Sequence, residues 1–293
     1  MRILVTGSNG LLGQKIVAQL MSAKVDFLAT SLGKNRNTNC PSNVYAEMDI
    51  CSEKNIAEVF NFFKPTHVIH TAALTNVDTC ELEPENCRRI NVTAVKFLAT
   101  ACLKANCHFQ LLSTDFVFDG SKGNYSEEDV PNPLSEYARS KVESEEITKQ
   151  LPIQLFSIVR TIIVYGTGEN LSRSNIVVWA KEALQKGQEL AIIDDQFRAP
   201  TWADDLAWAC IRICELNENG IFHIAGPETM SIFHLVERIA QFYQLPMSQV
   251  KRTDSSTLNQ PAKRPPKTGF NLSKAITLLG YKPKKLEDTL DLL

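Results

Sequence analysis

The chain has 293 residues, enough to bury a sizeable core in one large or two modest domains, and its 31 Lys plus Arg nearly balance 33 Asp plus Glu, for a net charge of -2. So small a net charge supplies no general field for nucleic acid or an anionic membrane, and no apolar run approaches the roughly 20 residues that span a bilayer. The opening Met-Arg-Ile-Leu-Val-Thr-Gly reads as a strand entering a turn, not as an export signal, and the eight scattered cysteines lack Cys-x-x-Cys or zinc-finger spacing. A cytoplasmic protein with reduced thiols and no metal is expected.

From residue 1 to about 165, short β-branched runs alternate with segments of helical period, the pattern of a parallel sheet with crossover helices. Strands are expected at Arg2 to Val5, Asp26 to Thr30, Val44 to Met48, His67 to His70, Phe109 to Leu112 and Leu155 to Val159. Between them, Leu12, Ile16, Val17 and Leu20 form one helical stripe, Ile56, Val59, Phe60 and Phe63 a second, and Ile90, Val95, Leu98 and Cys102 a third. The fold class that follows is α/β, a Rossmann-type doubly wound parallel sheet. His67 and His70 fall inside an apolar strand and read as structural, as do Cys210 and Cys214 on a later helix. Residues 1-165 are expected to form the nucleotide-binding domain and 166-293 mainly a smaller substrate-binding lobe. A strand near 220-225 is expected to return to the sheet. Residues 251 to 285 hold nine Lys or Arg against the single acid Asp254, but without interleaved aromatics they do not resemble a single-strand nucleic-acid binder.

Between the first strand and the first helix lies Gly7-Ser8-Asn9-Gly10-Leu11-Leu12-Gly13. Glycines there allow a tight turn, close approach to a phosphate and packing of helix on sheet, while the helix N-terminus offers free N-H groups to a pyrophosphate. A dinucleotide is therefore expected to contact Gly7, Gly10, Leu11, Leu12 and Gly13. NAD-preferring versions end the second strand with an acid that accepts from the ribose hydroxyls. Here the corresponding stretch, Ala29 to Arg36, has none. Ser31, Lys34 and Arg36 suit a 2'-phosphate instead, which points to NADPH ahead of NADH. Asp49 and Ile50, at the end of the third strand, are expected beside the adenine.

Tyr137 and Lys141 are four apart on an expected helix and so share one face. A neighbouring ammonium would favour the phenolate and bring a tyrosine, ordinarily near pKa 10, closer to working pH as a proton relay. Ser113-Thr114-Asp115-Phe116-Val117-Phe118-Asp119-Gly120 follows the fifth strand, so Thr114 is expected to present its hydroxyl beside the cofactor crevice. Thr114, Tyr137 and Lys141 are the catalytic candidates.

The glycine turn, the Ser-Thr-Asp-x-Val-Phe-Asp-Gly run, Tyr-x-x-x-Lys and Val159 to Gly166 occur in that order, joined by Ala72 to Asp78, Asp195-Gln196 and Arg264-Pro265. Together they resemble the dTDP-4-dehydrorhamnose reductase family of extended short-chain dehydrogenases. The resemblance implies hydride transfer from NADPH to the 4-keto carbon of a sugar nucleotide, with Tyr137 protonating the oxygen, Thr114 orienting it and Lys141 tuning Tyr137. It also implies a cofactor lying along Ala72, Ala73, Leu74 and Asn91. Thr75, Val77, Asp78, Phe116, Arg160, Ile163, Gln196 and Arg264 would meet the substrate. The chain departs from the family at Phe116, usually Tyr, and at Ile163, often Trp, which puts the sugar's identity in doubt more than the reaction type.

Two rival readings use the same scaffold. Epimerases and dehydratases recycle bound NAD, against which stand the missing acid after the second strand and Phe116, where related dehydratases place Glu. The regulatory β subunit of methionine adenosyltransferase also resembles this family and acts by binding a partner enzyme. A homodimer is the base-rate expectation for assembly.

Overall fold

The computed structural model describes all 293 residues. The chain begins β1 (Arg2–Thr6), α1 (Leu11–Ser22), β2 (Asp26–Ser31), β3 (Tyr45–Glu47), α2 (Glu53–Phe63) and β4 (His67–His70). It continues through α3 (Val77–Leu82), α4 (Pro84–Arg88), α5 (Ala94–Ala105), β5 (His108–Thr114), α6 (Glu136–Lys149) and β6 (Phe156–Thr161). These strands and a later one form a seven-stranded sheet in which every pairing is parallel. From β1 the strands β2 and β3 are laid down on one side, and β4, β5 and β6 on the other. The order thus reverses between β1 and β4, and the strands' carboxyl ends there open a crevice of the kind that binds nucleotides.

The remaining chain holds β7 (Val164–Tyr165), α7 (Ile176–Gln185), β8 (Leu190–Ile193), β9 (Phe197–Arg198), β10 (Thr201–Trp202) and α8 (Ala203–Leu216). It ends with β11 (Gly220–Ile224), β12 (Met230–Ser231), α9 (Ile232–Tyr243), β13 (Val250–Thr253), α10 (Ser273–Leu279) and α11 (Glu287–Leu290). Strand β11 forms the sheet edge beside β6, with Gly220 opposite Ser157 and Ile224 opposite Thr161.

Alternation along β1 divides the core between two layers. Ile3 and Val5 face a cluster with α1, α8 and α10, while Leu4 faces one with α2 and α5. A separate cluster joins α7, α9, β8 and α11. Each fully buried Leu, Ile or Val in these layers contributes about 1.5–3 kcal/mol relative to exposure.

Strand β5 runs to Thr114, two residues past its expected end, because β6 pairs with it from Phe109↔Phe156 to Thr114↔Thr161. The stripe expected from Ile90 to Cys102 is not one helix, because a π-helical turn over Arg89–Thr93 precedes α5. One extra residue in the turn shifts the helical phase by about 100°. Ile90 is accordingly only half-buried, whereas Val95, Leu98 and Cys102 enter the core.

Close packing of α1 on the turn after β1 depends on Gly13. A Cβ there would lie 2.4 Å from the Gly7 carbonyl oxygen and 2.6 Å from Ser8 Cα, both backbone atoms. Gly13→Ala is expected to cost about 1–3 kcal/mol through overpacking. An unchanged denaturation midpoint would contradict this packing.

Candidate active site

Gly7 has φ +73°, and a Cβ on it would stand 2.7 Å from both Ala72 N and Thr71 Oγ1. That close approach brings the loops after β1 and β4 together at the crevice. Gly10 is exposed, and a Cβ there would approach only the Gly7 carbonyl oxygen, at 3.3 Å, so the open space beside it suits a phosphate. Helix α1 has no side-chain cap and no acid in its first turn. The N-H groups of Leu11, Leu12 and Gly13 therefore face the crevice mouth with the positive end of the helix dipole. These features fit a dinucleotide pyrophosphate.

The loop after β2 is bound to this turn. The Ser31 hydroxyl accepts from Asn9 N at 3.0 Å, so its part in the structure is to tie turn to strand. The Asn9 amide donates to the Lys34 carbonyl at 2.9 Å and accepts from Arg36 N at 2.8 Å. The side chains of Lys34 and Arg36 are exposed. Asp49 accepts from Cys51 N at 2.8 Å, and Ile50 packs partly against the core under α2 and α5.

Three catalytic candidates meet where β5 ends and α6 begins. Ser135 caps α6, which carries Tyr137 and Lys141 on its buried face. The Thr114 hydroxyl faces that of Tyr137 and donates to Asp115 Oδ1 at 3.0 Å. Phe116 packs edge-on against Tyr137, with ring centroids 6.1 Å apart. Burial raises the phenol's pKa above its usual value, opposed by Thr114. Lys141 Nζ donates to the Leu112 carbonyl at 2.6 Å, and burial, partly offset by Glu145, pushes the lysine's own pKa down to about 8. Tyr137 is therefore a phenol held protonated, and the positive charge of Arg173, from the loop before α7, opposes that rise only weakly. That residue carries no motif and is not legible in the sequence. An ammonium has three donors, and those of Lys141 beyond the Leu112 bond suit ribose hydroxyls.

Asn91 is 1% exposed and cannot line the cofactor itself. Its amide accepts from Leu74 N at 2.8 Å and donates to the Leu74 carbonyl at 3.0 Å and to Ser140 Oγ at 3.1 Å. It fixes the half-buried Ala72 to Leu74 backbone at the crevice wall, and the π turn delivers it there.

Arg160 also corrects its sequence assignment as a substrate ligand, because it is 1% exposed behind the sheet edge. It donates to Glu145 through Nε at 2.9 Å and Nη2 at 2.6 Å, and Glu145 also accepts from Ser113 at 2.6 Å. Glu145 was legible in principle, lying four residues beyond Lys141 on the same helical face.

Asp78 and Arg264 both border the site but pair with each other at 2.6 Å. That contact joins α3 to the proline-rich segment before α10. Val77 is half-buried beside Phe116, and the exposed Thr75 bonds to Arg173. Gln196 is buried and accepts from Arg198 at 3.3 Å. Arg198, unmarked by any motif, lies 5.4 Å above the Phe116 ring, binds the Pro265 carbonyl at 2.6 Å and faces Asp115 at 3.7 Å. Ile163 has φ +32°, a strained conformation for a β-branched residue. No group of three or more His, Cys, Asp or Glu is arranged to hold a metal.

The family described as the RmlD substrate binding domain matches residues 1–293. Similar chains include the dTDP-4-dehydrorhamnose reductase of Aggregatibacter actinomycetemcomitans, 30% identical with 96% of this chain and 94% of that one covered. Methionine adenosyltransferase 2 subunit beta of Danio rerio is 31% identical, covering 95% of this chain and 85% of its own. Among solved structures, a dTDP-4-dehydrorhamnose reductase from Clostridium acetobutylicum superimposes with a TM-score of 0.87 at 29% identity, covering 99% and 97% of the two chains.

Proposed function

The chain belongs to the family of the RmlD substrate binding domain, and on that premise we propose that it is an NADPH-dependent reductase of a 4-keto sugar nucleotide. dTDP-4-dehydrorhamnose, the intermediate reduced to dTDP-L-rhamnose, is the first substrate to test. The observation that carries this reading is the convergence of Thr114, Tyr137 and Lys141 beside a glycine turn at the sheet's reversal point. NADPH, when bound, supplies the hydride. Gly10 and the start of α1 receive its pyrophosphate, Lys34 and Arg36 its 2'-phosphate, and Asp49 and Ile50 flank its adenine. Lys141 holds the ribose next to the nicotinamide, and the backbone from Ala72 to Leu74 forms the wall along which the cofactor lies.

Tyr137 gives its phenolic proton to the sugar oxygen as charge develops on it. Thr114 turns its hydroxyl from Asp115 toward the same oxygen and orients it. Val77, Phe116 and Ile163 shape an apolar sugar pocket, and Thr75, Gln196 and Arg173 offer polar contacts at its rim. The Asp78–Arg264 pair closes the substrate side, with Arg264 free to exchange one carboxylate partner for a diphosphate.

Charged Lys141 is required to hold the ribose, and a lowered pKa means that the charge is lost as pH rises through about 8. The kcat/KM for NADPH oxidation is expected to fall above that pH, and a profile flat to about pH 10, where a free lysine titrates, would contradict the role.

A binding-subunit reading is favoured by one observation, the 31% identity to a methionine adenosyltransferase β subunit. Titration of NADPH absorbance against a panel of 4-keto sugar nucleotides separates the two. Oxidation by any member supports the reductase. NADPH binding without oxidation, joined to stable co-purification with a partner enzyme, supports the subunit.

A further inference from the structure

We infer that Glu169 and Asn170 are specificity-determining residues: from the loop after β7 they hold the loop carrying Lys34 and Arg36 in the form that accepts a ribose 2'-phosphate. The inference rests on the cofactor reading above and names the residues behind the choice between NADPH and NADH.

The clamp is built from several contacts. Glu169 Oε2 accepts from Thr38 N at 2.7 Å and from the Thr38 hydroxyl, and Oε1 accepts from Asn39 Nδ2 at 2.8 Å. Asn170 Nδ2 donates to the Arg36 carbonyl at 3.0 Å. The clamp is itself anchored on α1, where Gln14 donates to the Glu169 carbonyl at 2.7 Å and accepts from Glu169 N at 2.8 Å. Asn9 grips Lys34 and Arg36 from the opposite side. Within the loop, Asn35 donates to the Cys40 carbonyl at 2.9 Å and accepts from Asn37 N at 3.0 Å.

The backbone of residues 34 to 40 is thus bound from both sides and within, while the two cations it carries are exposed. A phosphate gains from finding that backbone already ordered, because ordering it together with two long side chains at the moment of binding would consume much of the gain. A bare 2'-hydroxyl needs neither, so loosening the loop should affect NADPH far more than NADH.

Charge alone predicts the opposite sign. Glu169 is an acid close to the proposed phosphate position, and deleting it removes a repulsion, although solvent screening keeps that effect small.

The test is calorimetric titration of NADPH and of NADH into wild type, Glu169→Ala, Asn170→Ala and Arg36→Ala. With preorganisation lost, Glu169→Ala is expected to raise the NADPH Kd about tenfold and to leave the NADH Kd within about twofold, with Asn170→Ala moving in the same direction. Unchanged or tighter NADPH binding in Glu169→Ala, or equal loss for both cofactors, overturns the clamp. Arg36→Ala reports on the underlying reading: if wild type prefers NADPH and this variant keeps the full preference, the assigned phosphate position is wrong and the clamp falls with it.

Discussion

Tyr137→Phe is expected to lower the rate of NADPH oxidation by about 10²–10⁴-fold, the usual contribution of a positioned proton donor, while NADPH still binds. The substitution removes one oxygen and leaves the ring. Tyr137 is 8% exposed and packs with Cys80, Cys87 and Phe116, contacts that a phenyl ring retains. The expected loss is therefore chemical, not structural. A phenol whose pKa burial has raised stays protonated at neutral pH, which suits a donor to an oxygen that becomes strongly basic as hydride arrives. The change should appear in kcat with KM nearly constant, because the interaction develops only in the transition state. A variant that keeps the wild-type kcat would move the proton donor elsewhere.

Glu145→Ala is expected to destabilise the fold by about 3–5 kcal/mol, the cost of leaving a buried cation without its partner. Glu145 and Arg160 are 0% and 1% exposed, joined by two hydrogen bonds that pin α6 to β6. Arg160 has few alternatives: its guanidinium lies 5.1 Å above the Phe118 ring and 3.4 Å from His223 Nε2. Burial first, and Arg160 second, push the His223 pKa down to about 3, so the imidazole is neutral and can accept from Arg160 while its Nδ1-H donates to the Tyr125 carbonyl at 3.0 Å. A neutral ring cannot replace the carboxylate. The double variant Glu145→Leu with Arg160→Met, which removes both charges, should recover most of the loss. Urea midpoints at constant slope would measure both effects, and a single variant as stable as wild type would show that the pair does not brace α6.

These two residues mark the limit of what is legible in the sequence. Tyr137 and Lys141 are found because helical spacing is local, and the glycine turn because strand, turn and helix are contiguous. The parallel sheet is legible for the same reason, since each β-α unit carries its own period. Arg160 is misread because a cation near a site motif looks like an anion ligand until its partner on α6 is seen. The direction of the Lys141 side chain is not legible either, because adjacency on a helix does not say where Nζ points, and its donor here meets the Leu112 carbonyl. Asn91 depends on a π turn that hydrophobic periodicity cannot register. Arg173, Arg198 and Glu169 reach partners far along the chain; Glu169 and Thr38 are 131 residues apart. Such contacts join segments far apart in the chain, which no local pattern encodes.

The most direct test of the central claim is deuteride transfer. NADPH carrying deuterium at the transferable position of the nicotinamide is incubated with the protein and dTDP-4-dehydrorhamnose, and the sugar is analysed by mass spectrometry and NMR. The account predicts one deuterium per sugar, at C4, with an equal amount of NADP⁺ formed, and almost none of either with Tyr137→Phe. Sugar recovered without deuterium from a protein that binds both ligands would contradict it.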